Sequence, residues 1–439
     1  MNNQQQTQTA LVLGLGASGR AAAALLAGRG WRVVAADSAD NAGLRATAES
    51  LRETGIQVQL APEKLPLNGV ELCVVSPGVP LDSDWCRQVV RSGIPLVGEL
   101  ELAARFCAVP VLAVTGSKGK STAVKLSGDI LRLAGKRVAL GGNYGTPLSQ
   151  LVMQAAADVY VVECSSFQLE SATTFAPAAG VLLNIQPDHL DRHGTLECYA
   201  GIKRRMFAVQ GSADLAVVPE GMQHLIPGEG RCVTFGTESA AAAAYRQGRI
   251  ALHTGECIDI SGTYFDNPVL GPAVAAVTLA VAHFGADKTA VETAVRSFAP
   301  LPHRMQLVAF KNGIRFINDS KATSLSATAA ALQMCVGPVH LIAGGRLKEQ
   351  NLYFLKEILE KCCKGVYCIG EAAKIMQKNW GGACECHECM TLERAFEKAV
   401  HAASFGDVVL LSPGCASFDQ FDGFEQRGNL FIKLAGAYS

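Results

Sequence analysis

The densest chemistry in this 439-residue chain is the run Thr115-Gly116-Ser117-Lys118-Gly119-Lys120-Ser121-Thr122, which follows an apolar stretch at 111–114 and opens a helical segment. Backbone amides in such a turn cradle phosphate oxygens, Lys120 supplies a point charge, and the Ser121 hydroxyl can ligate Mg2+. Lys118 adds a second cation within the loop. The spacing Gly116-x-x-Gly119-Lys120-Ser121 is shorter than the usual phosphate-loop form. Glu163 ends the apolar run 159–162, where a nucleotide-bound cation needs an oxygen ligand. Asp188-His189-Leu190-Asp191, after another predicted strand, offers a second metal or substrate contact. Lys203 lies in a predicted helix beside Arg204 and Arg205. Composition alone assigns that basic run to a solvated face.

Two further groups stand apart. Gly14-x-Gly16-x-x-Gly19 follows the predicted strand 10–13, and Asp37 ends the next one at 32–36. Glycines let the backbone approach a diphosphate at a helix N-terminus, and the acid sits where a ribose hydroxyl would be met. By itself this pattern supports a nicotinamide dehydrogenase. Far along the chain, Asn318-Asp319-Ser320-Lys321-Ala322-Thr323, Gly344-Gly345-Arg346-Leu347-Lys348 and Ser412-Pro413-Gly414-Cys415-Ala416-Ser417 each end a predicted strand. The carboxyl ends of strands are the ligand side of an open sheet, and these loops pool cations, hydroxyls and amides suited to an anionic second substrate. Cys384-Glu385-Cys386-His387-Glu388-Cys389, with Cys362, Cys363 and Cys368, invites a zinc reading, but the spacing lacks two separated knuckles and reads as reduced thiols.

The elements that must position these groups alternate strand and helix throughout. Strands are predicted at 10–13, 32–36, 72–75, 111–114, 139–140, 159–162, 181–183, 215–218, 339–343, 366–369 and 408–411. Asn312-Gly313 between 307–310 and 314–317 predicts a hairpin. Weaker alternation over 231–265 predicts a small β-subsheet, and the alanine tract 240–244 reads as loop or helix filler. The fold class is α/β with three domains: a Rossmann-like N-terminal one (1–98), a central P-loop ATPase-like one with a mostly parallel sheet (99–302), and a Rossmann-like C-terminal one (303–439). Lys+Arg 39 against Asp+Glu 39 gives no net charge, so nothing marks a nucleic-acid or membrane surface. No apolar stretch reaches ~20 residues without a charge or loop signal, the N-terminus carries no basic residue, and fifteen cysteines fit a reducing compartment. The expectation is a cytoplasmic monomer.

Together these motifs resemble the Mur ligases over nearly the whole chain. Further matches are Ser76-Pro77-Gly78-Val79-Pro80, Gly98-Glu99-Leu100-Glu101-Leu102, Gly141-Gly142-Asn143, His303-Arg304 and the stretch 411–420. Glu163-Cys164-Ser165-Ser166-Phe167-Gln168-Leu169-Glu170, Asn318–Thr323 and Phe424-Glu425-Gln426-Arg427-Gly428 resemble the branch that adds D-glutamate. The resemblance decides for a ligase over a dehydrogenase. It implies a UDP-sugar substrate, UDP-N-acetylmuramoyl-L-alanine, held by Ser18, Asp37, Ser76, Gly78 and Asn143. It implies ATP on Gly116, Ser117, Lys118, Gly119, Lys120, Ser121 and Thr122, with Arg304 and Asp319 contacting the nucleotide. Mg2+ would be held by Ser121, Glu163, His189 and a carbamylated Lys203; Lys120, Lys203 and His189 would be the catalytic set. D-glutamate would meet Lys321, Thr323, Lys348, Ser417 and Phe424. Alternatives are a folate-type glutamate ligase and a UDP-sugar sensor without turnover.

Overall fold

Three open sheets carry the chain, each covered by helices, in a computed structural model that describes residues 7–143, 145–154, 156–348 and 351–438. The first contains β1 (Thr9–Leu13), β2 (Arg32–Asp37), β3 (Gln57–Leu60), β4 (Leu72–Val75) and β5 (Leu96–Gly98), all parallel, in the order β3-β2-β1-β4-β5. β1 and β4 are almost wholly buried Ala, Leu, Val and Cys, as a sheet covered on both faces requires. The order reverses beside β1, so the turns after β1 and β4 form the crevice at the switch point.

The second sheet holds β6 (Val111–Thr115), β7 (Val138–Gly142), β8 (Val159–Glu163), β9 (Ala179–Leu182), β10 (Leu215–Pro219), β11 (Arg231–Gly236), β12 (Ala243–Arg246), β13 (Arg249–Leu252) and β14 (Cys257–Asp259). Its order is β14-β13-β12-β11-β10-β9-β6-β8-β7. The expected small subsheet forms the far wing of this one. β11 and β12 continue it in parallel, then β13 and β14 turn antiparallel. In the alanine tract, residues 240–242 form a loop as expected, whereas Ala243 and Ala244 are buried strand residues under the helix Gly271–Ala282, a close approach that small side chains permit.

The third sheet runs β15 (Gln306–Lys311), β16 (Ile314–Asn318), β17 (Val339–Gly344), β18 (Cys363–Ile369), β19 (Glu385–Met390) and β20 (Val408–Leu411), ordered β15-β16-β20-β17-β18-β19. Only β15 is antiparallel; Asn312 and Gly313 both take positive φ, 53° and 76°, the conformation a two-residue hairpin turn demands. Asn318 of β16 and Ile342 of β17 both lie opposite Leu411 of β20, so the three C-terminal loops emerge side by side. Residues up to Asp266 with Leu270–Ser297 pack as one unit, and Asn267–Val269 with the chain from Phe298 onward as a second. Within the first unit, buried Glu99 accepts the Ser149 N–H (2.7 Å) and Glu101 accepts those of Thr173 and Thr174 (3.0 Å each), fastening the helix after β5 to the second sheet. No described helix is long and apolar enough to cross a membrane.

Candidate active site

Central β6 ends in Thr115 and releases the chain into the Gly116–Gly119 turn, after which the helix Lys120–Leu133 begins with its first amides uncapped by any side chain. Gly116 (φ 148°) and Gly119 (φ 85°) hold conformations that side chains resist, and a Cβ on Gly116 would press on Leu183 and Asn184. Asn184, just beyond β9, braces the turn: its Oδ1 accepts the Ser117 and Lys118 N–H groups at 3.1 and 2.9 Å. Ser117 Oγ donates to the Gln186 carbonyl at 2.9 Å.

Five of the expected residues converge around this turn. Ser121 Oγ donates to Glu163 Oε2 at 2.7 Å, and Asn143 Nδ2 donates to Glu163 Oε1 at 2.8 Å. Asn143, which the resemblance assigns to the UDP-sugar, thus meets the expected metal ligand here. Lys120 Nζ folds back on the Gly116 and Ser117 carbonyls (2.8 and 3.0 Å). Lys203 donates to the same Gly116 carbonyl at 2.9 Å, with Thr115 Oγ1 at 3.5 Å and the Tyr199 ring 4.5 Å away.

Lys203 corrects the solvated-face reading, for it is 1 % exposed. Burial, reinforced by the neighbouring Lys120 charge, pushes its ammonium down to about 7. Lys118 reaches away from the turn to Asp188 Oδ2 (3.2 Å). His189 adopts left-handed backbone (φ 53°) and is half exposed, its Nε2 3.9 Å from Asp188 Oδ1 and its ring against Phe167. Thr122 is half-buried in the first helical turn.

Next to His189 lies a network that sequence reasoning did not find. His193 is buried with Nε2 3.0 Å from Ser166 Oγ and Nδ1 3.1 Å from Glu170 Oε1, and desolvation lowers its pKa. Arg192 pairs with Glu170 at 2.6 Å, and its Nη2 lies 3.5 Å from the Val79 carbonyl of the turn after β4.

In the first sheet, a Cβ on Gly19 would fall 1.8 Å from the Gly14 carbonyl, so only glycine closes the turn after β1. Ser76 Oγ donates to that carbonyl at 2.8 Å, and Asp37 Oδ2 accepts the Leu15 N–H at 2.8 Å. Both expected substrate residues therefore shape the turn itself. Gly14, Asp37 and Gly78 line a cleft of about 250 Å³ with Ser83 and Trp85; half-buried Ser18 starts the adjoining helix.

In the third sheet, Asp319 is buried, with Ser412 Oγ donating to Oδ2 (2.8 Å) and the Met305 N–H to Oδ1 (3.1 Å). Burial raises its carboxyl to about 7, with these donors and Arg304 opposing. Lys321 Nζ stands 3.7 Å over the Phe424 ring, so these two expected partners are together. Ser417 is buried, Thr323 half-buried and Lys348 exposed. Arg346, counted among the substrate cations, instead pairs with exposed Glu371 at 3.0 Å.

The residue tying these loops together is Arg427, fully buried on the helix Phe424–Ala437. Its guanidinium donates to Ser320 Oγ (3.0 Å) and to the carbonyls of Ser320 (2.9 Å), Cys415 (3.1 Å) and Gly344 (3.4 Å), one acceptor set in each loop.

Comparison with known proteins agrees with this layout. Three family models match: a Mur ligase MurD-like N-terminal domain over residues 8–98, the Mur ligase middle domain over 114–276, and the Mur ligase glutamate ligase domain over 303–415. The chain is similar to UDP-N-acetylmuramoylalanine–D-glutamate ligase of Acidobacterium capsulatum, 39% identical over 98% of this chain and 96% of that protein. It is likewise similar to the Koribacter versatilis ligase of the same name, 37% identical over 97% and 96%. Among solved structures, MurF ligase from Thermotoga maritima in complex with ADP matches with a TM-score of 0.63 at 17% identity, covering 99% of both chains. Three family domains in order and near-full-length relatives above 30% identity place this chain in the Mur ligase family.

Proposed function

We propose that this chain joins D-glutamate to UDP-N-acetylmuramoyl-L-alanine at the expense of ATP, in cytoplasmic synthesis of peptidoglycan precursors. The substrate carboxylate attacks the γ-phosphorus, ADP leaves, and the D-glutamate amine displaces phosphate from the resulting acyl phosphate. The observation that carries the reading is the convergence of Lys120 and Lys203 on one carbonyl beside the Ser121–Glu163 pair. That is a phosphate turn with a charge-assisted oxygen site, built on the domain order of a ligase.

The turn 116–122 receives the ATP phosphates, and Lys120 leaves its two carbonyls to meet the transferring oxygens, where charge develops. The donor set suits a hard divalent cation: Ser121 Oγ and Glu163 Oε2 are oxygens 2.7 Å apart on a strand end and a helix start. Ser121, Glu163, His189 and Lys203 would hold Mg2+, which supplies Lewis-acid neutralisation of the phosphoryl oxygens. Lys203 fits its special role because carbamylation begins from a neutral amine. At about 7 its pKa leaves much of it unprotonated near neutrality. Its nitrogen can then bond to the carbon of CO2 and release a proton, turning a cation into an anionic ligand.

The cleft at Gly14, Asp37 and Gly78, with Ser18 and Ser76 in the adjoining elements, is assigned to the UDP-sugar, as is Asn143, just beyond β7 in the second sheet. In the C-terminal unit, Arg304 and Asp319 are assigned to the nucleotide, and Lys321, Thr323, Lys348, Ser417 and Phe424 to D-glutamate. Two lysines and two hydroxyls match the two carboxylates of glutamate; an amino acid with one carboxylate engages half of this set. The domains are taken as 1–98, 99–302 and 303–439, and the active species as a monomer. The test is phosphate release over a panel of amino acids. Release that requires both the UDP-sugar and D-glutamate, with D-alanine at least ~10³-fold poorer, supports the reading. Equal use of D-alanine, or release without the UDP-sugar, rejects it.

A further inference from the structure

The second unit carries a group of thiols that the ligase reaction does not use. Cys335, Cys362, Cys363, Cys384 and Cys386 all pack, half-buried, against one face of the third sheet's core, which itself includes buried Cys368 and Cys415. Cys384 and Cys386 flank Glu385 at the mouth of β19. Alternate residues of a strand share a face, and the two sulfurs lie 3.9 Å apart. Glu385 turns its carboxylate toward His387 (3.3 Å) and away from the sulfurs. Cys384 stands one residue outside the β18–β19 ladder, whose first pair is Gly365 with Glu385, so its side chain can swing without breaking a ladder bond.

The thiols of this group are not equivalent. Burial drives those of Cys335 and Cys368 up to about 12, and that of Cys363 higher still. Cys384 moves the other way: a hydrogen bond with Cys386 favours its thiolate against burial and the Glu360 charge, while Cys386 is held protonated. The hydrogen bond places one proton between two neighbouring sulfurs, so that one is favoured as thiolate while the other bears the proton, both partly open to solvent.

We propose that Cys384 and Cys386 form a redox-active dithiol that closes to a Cys-Glu-Cys disulfide at the start of β19 by exchange with a low-molecular-weight disulfide. The Cys384 thiolate attacks one sulfur of that co-reactant, breaking its S–S bond and expelling one thiolate. Cys386 then attacks the Cys384 sulfur of the mixed disulfide, gives up its proton, and expels the second thiolate. Two protein thiols are oxidised and one small disulfide is reduced to two thiols, so electrons and protons balance. Closure brings the sulfurs from 3.9 Å to ~2.05 Å. The pair sits at the amino end of β19, the opposite end of the sheet from the three loops assigned to the amine substrate.

The test exposes the full-length reduced protein to a series of oxidised and reduced glutathione mixtures, quenches with iodoacetamide, and maps peptides by mass. The expected result is loss of two hydrogens confined to the peptide carrying Cys384 and Cys386, reversed by dithiothreitol. In Cys386→Ser the exchange stops at a glutathione adduct on Cys384; in Cys384→Ser, Cys386 stays alkylatable under the same exposure. The proposal is overturned if both cysteines of the wild type stay alkylatable across the series, or if the lost hydrogens map to another pair.

Discussion

Replacing Arg427 with Met removes the buried fork that spans three loops while keeping a side chain of similar length. Three of its hydrogen bonds are 3.1 Å or shorter. At about 2 kcal/mol for each bond from a charged donor, they contribute ~6 kcal/mol. Burying the cation offsets part of this: its pKa falls from 12.5 to about 10, which corresponds to roughly 3 kcal/mol. The expected net loss is ~3 kcal/mol, within the 5–15 kcal/mol that domains commonly hold, so the variant folds. Because Ser320, Gly344 and Cys415 lose their common donor, Lys321, Lys348 and Ser417 lose their mutual register. If about half of the loss falls on the amine substrate, the D-glutamate KM rises at least ~10-fold. The UDP-sugar KM, set in the other unit, stays within about twofold. Steady-state phosphate release with each substrate varied measures both, with denaturant unfolding alongside; Arg427→Lys, which cannot fork, falls between. A folded Arg427→Met enzyme with an unchanged D-glutamate KM would refute the reasoning.

Lys120→Ala is expected to cost ~3 kcal/mol in the phosphoryl-transfer transition state, a hundredfold or more in turnover, with UDP-sugar affinity unchanged by calorimetry; turnover within threefold of wild type contradicts it. Lys203→Ala should be nearly inactive and regain activity with added acetate, which wild type does not need; acetate titration of both proteins decides. In CO2-free buffer, the lowered Lys203 pKa means that the unfolded chain binds a proton the folded one lacks between about 7 and 10.5, so stability rises with pH through that window. Denaturant unfolding should show this slope in wild type and its loss in Lys203→Met. Asp319, raised to about 7 from 3.8, has the opposite sign: the folded chain holds the extra proton, and its contribution to stability falls as pH climbs through that interval. Asp319→Asn should therefore gain stability relative to wild type at pH 8 compared with pH 5 while losing ATP turnover.

Strands built from unbroken Val, Leu, Ile and Ala runs were legible because burial on both faces leaves no polar alternation, as in β1, β6 and β20. β19 was not: Glu385-Cys386-His387-Glu388-Cys389-Met390 is polar and half-buried at a sheet edge, and pairing with β18 makes it a strand. The glycine turns could be read because their chemistry is local. Asn184 and Arg427 could not, since their partners lie 67 and 107 residues away. Beside Arg204 and Arg205, composition read Lys203 as solvated; the resemblance singled it out, and the fold shows that it is the one of three adjacent bases that is fully buried. The Gly14 turn could be read as a glycine-closed turn beside β1, but its ligand could not, because Asp37 and Ser76 bond within the turn.

The central claim is that ATP activates the carboxylate of UDP-N-acetylmuramoyl-L-alanine for attack by D-glutamate. It is tested most directly by labelling both oxygens of that carboxylate with 18O and analysing the released phosphate by mass. An acyl-phosphate route transfers one carboxylate oxygen to phosphorus, so the account predicts one 18O in each phosphate released during D-glutamate-dependent turnover. Phosphate carrying no label, with ADP still formed, would mean that ATP is hydrolysed by water and would contradict the account.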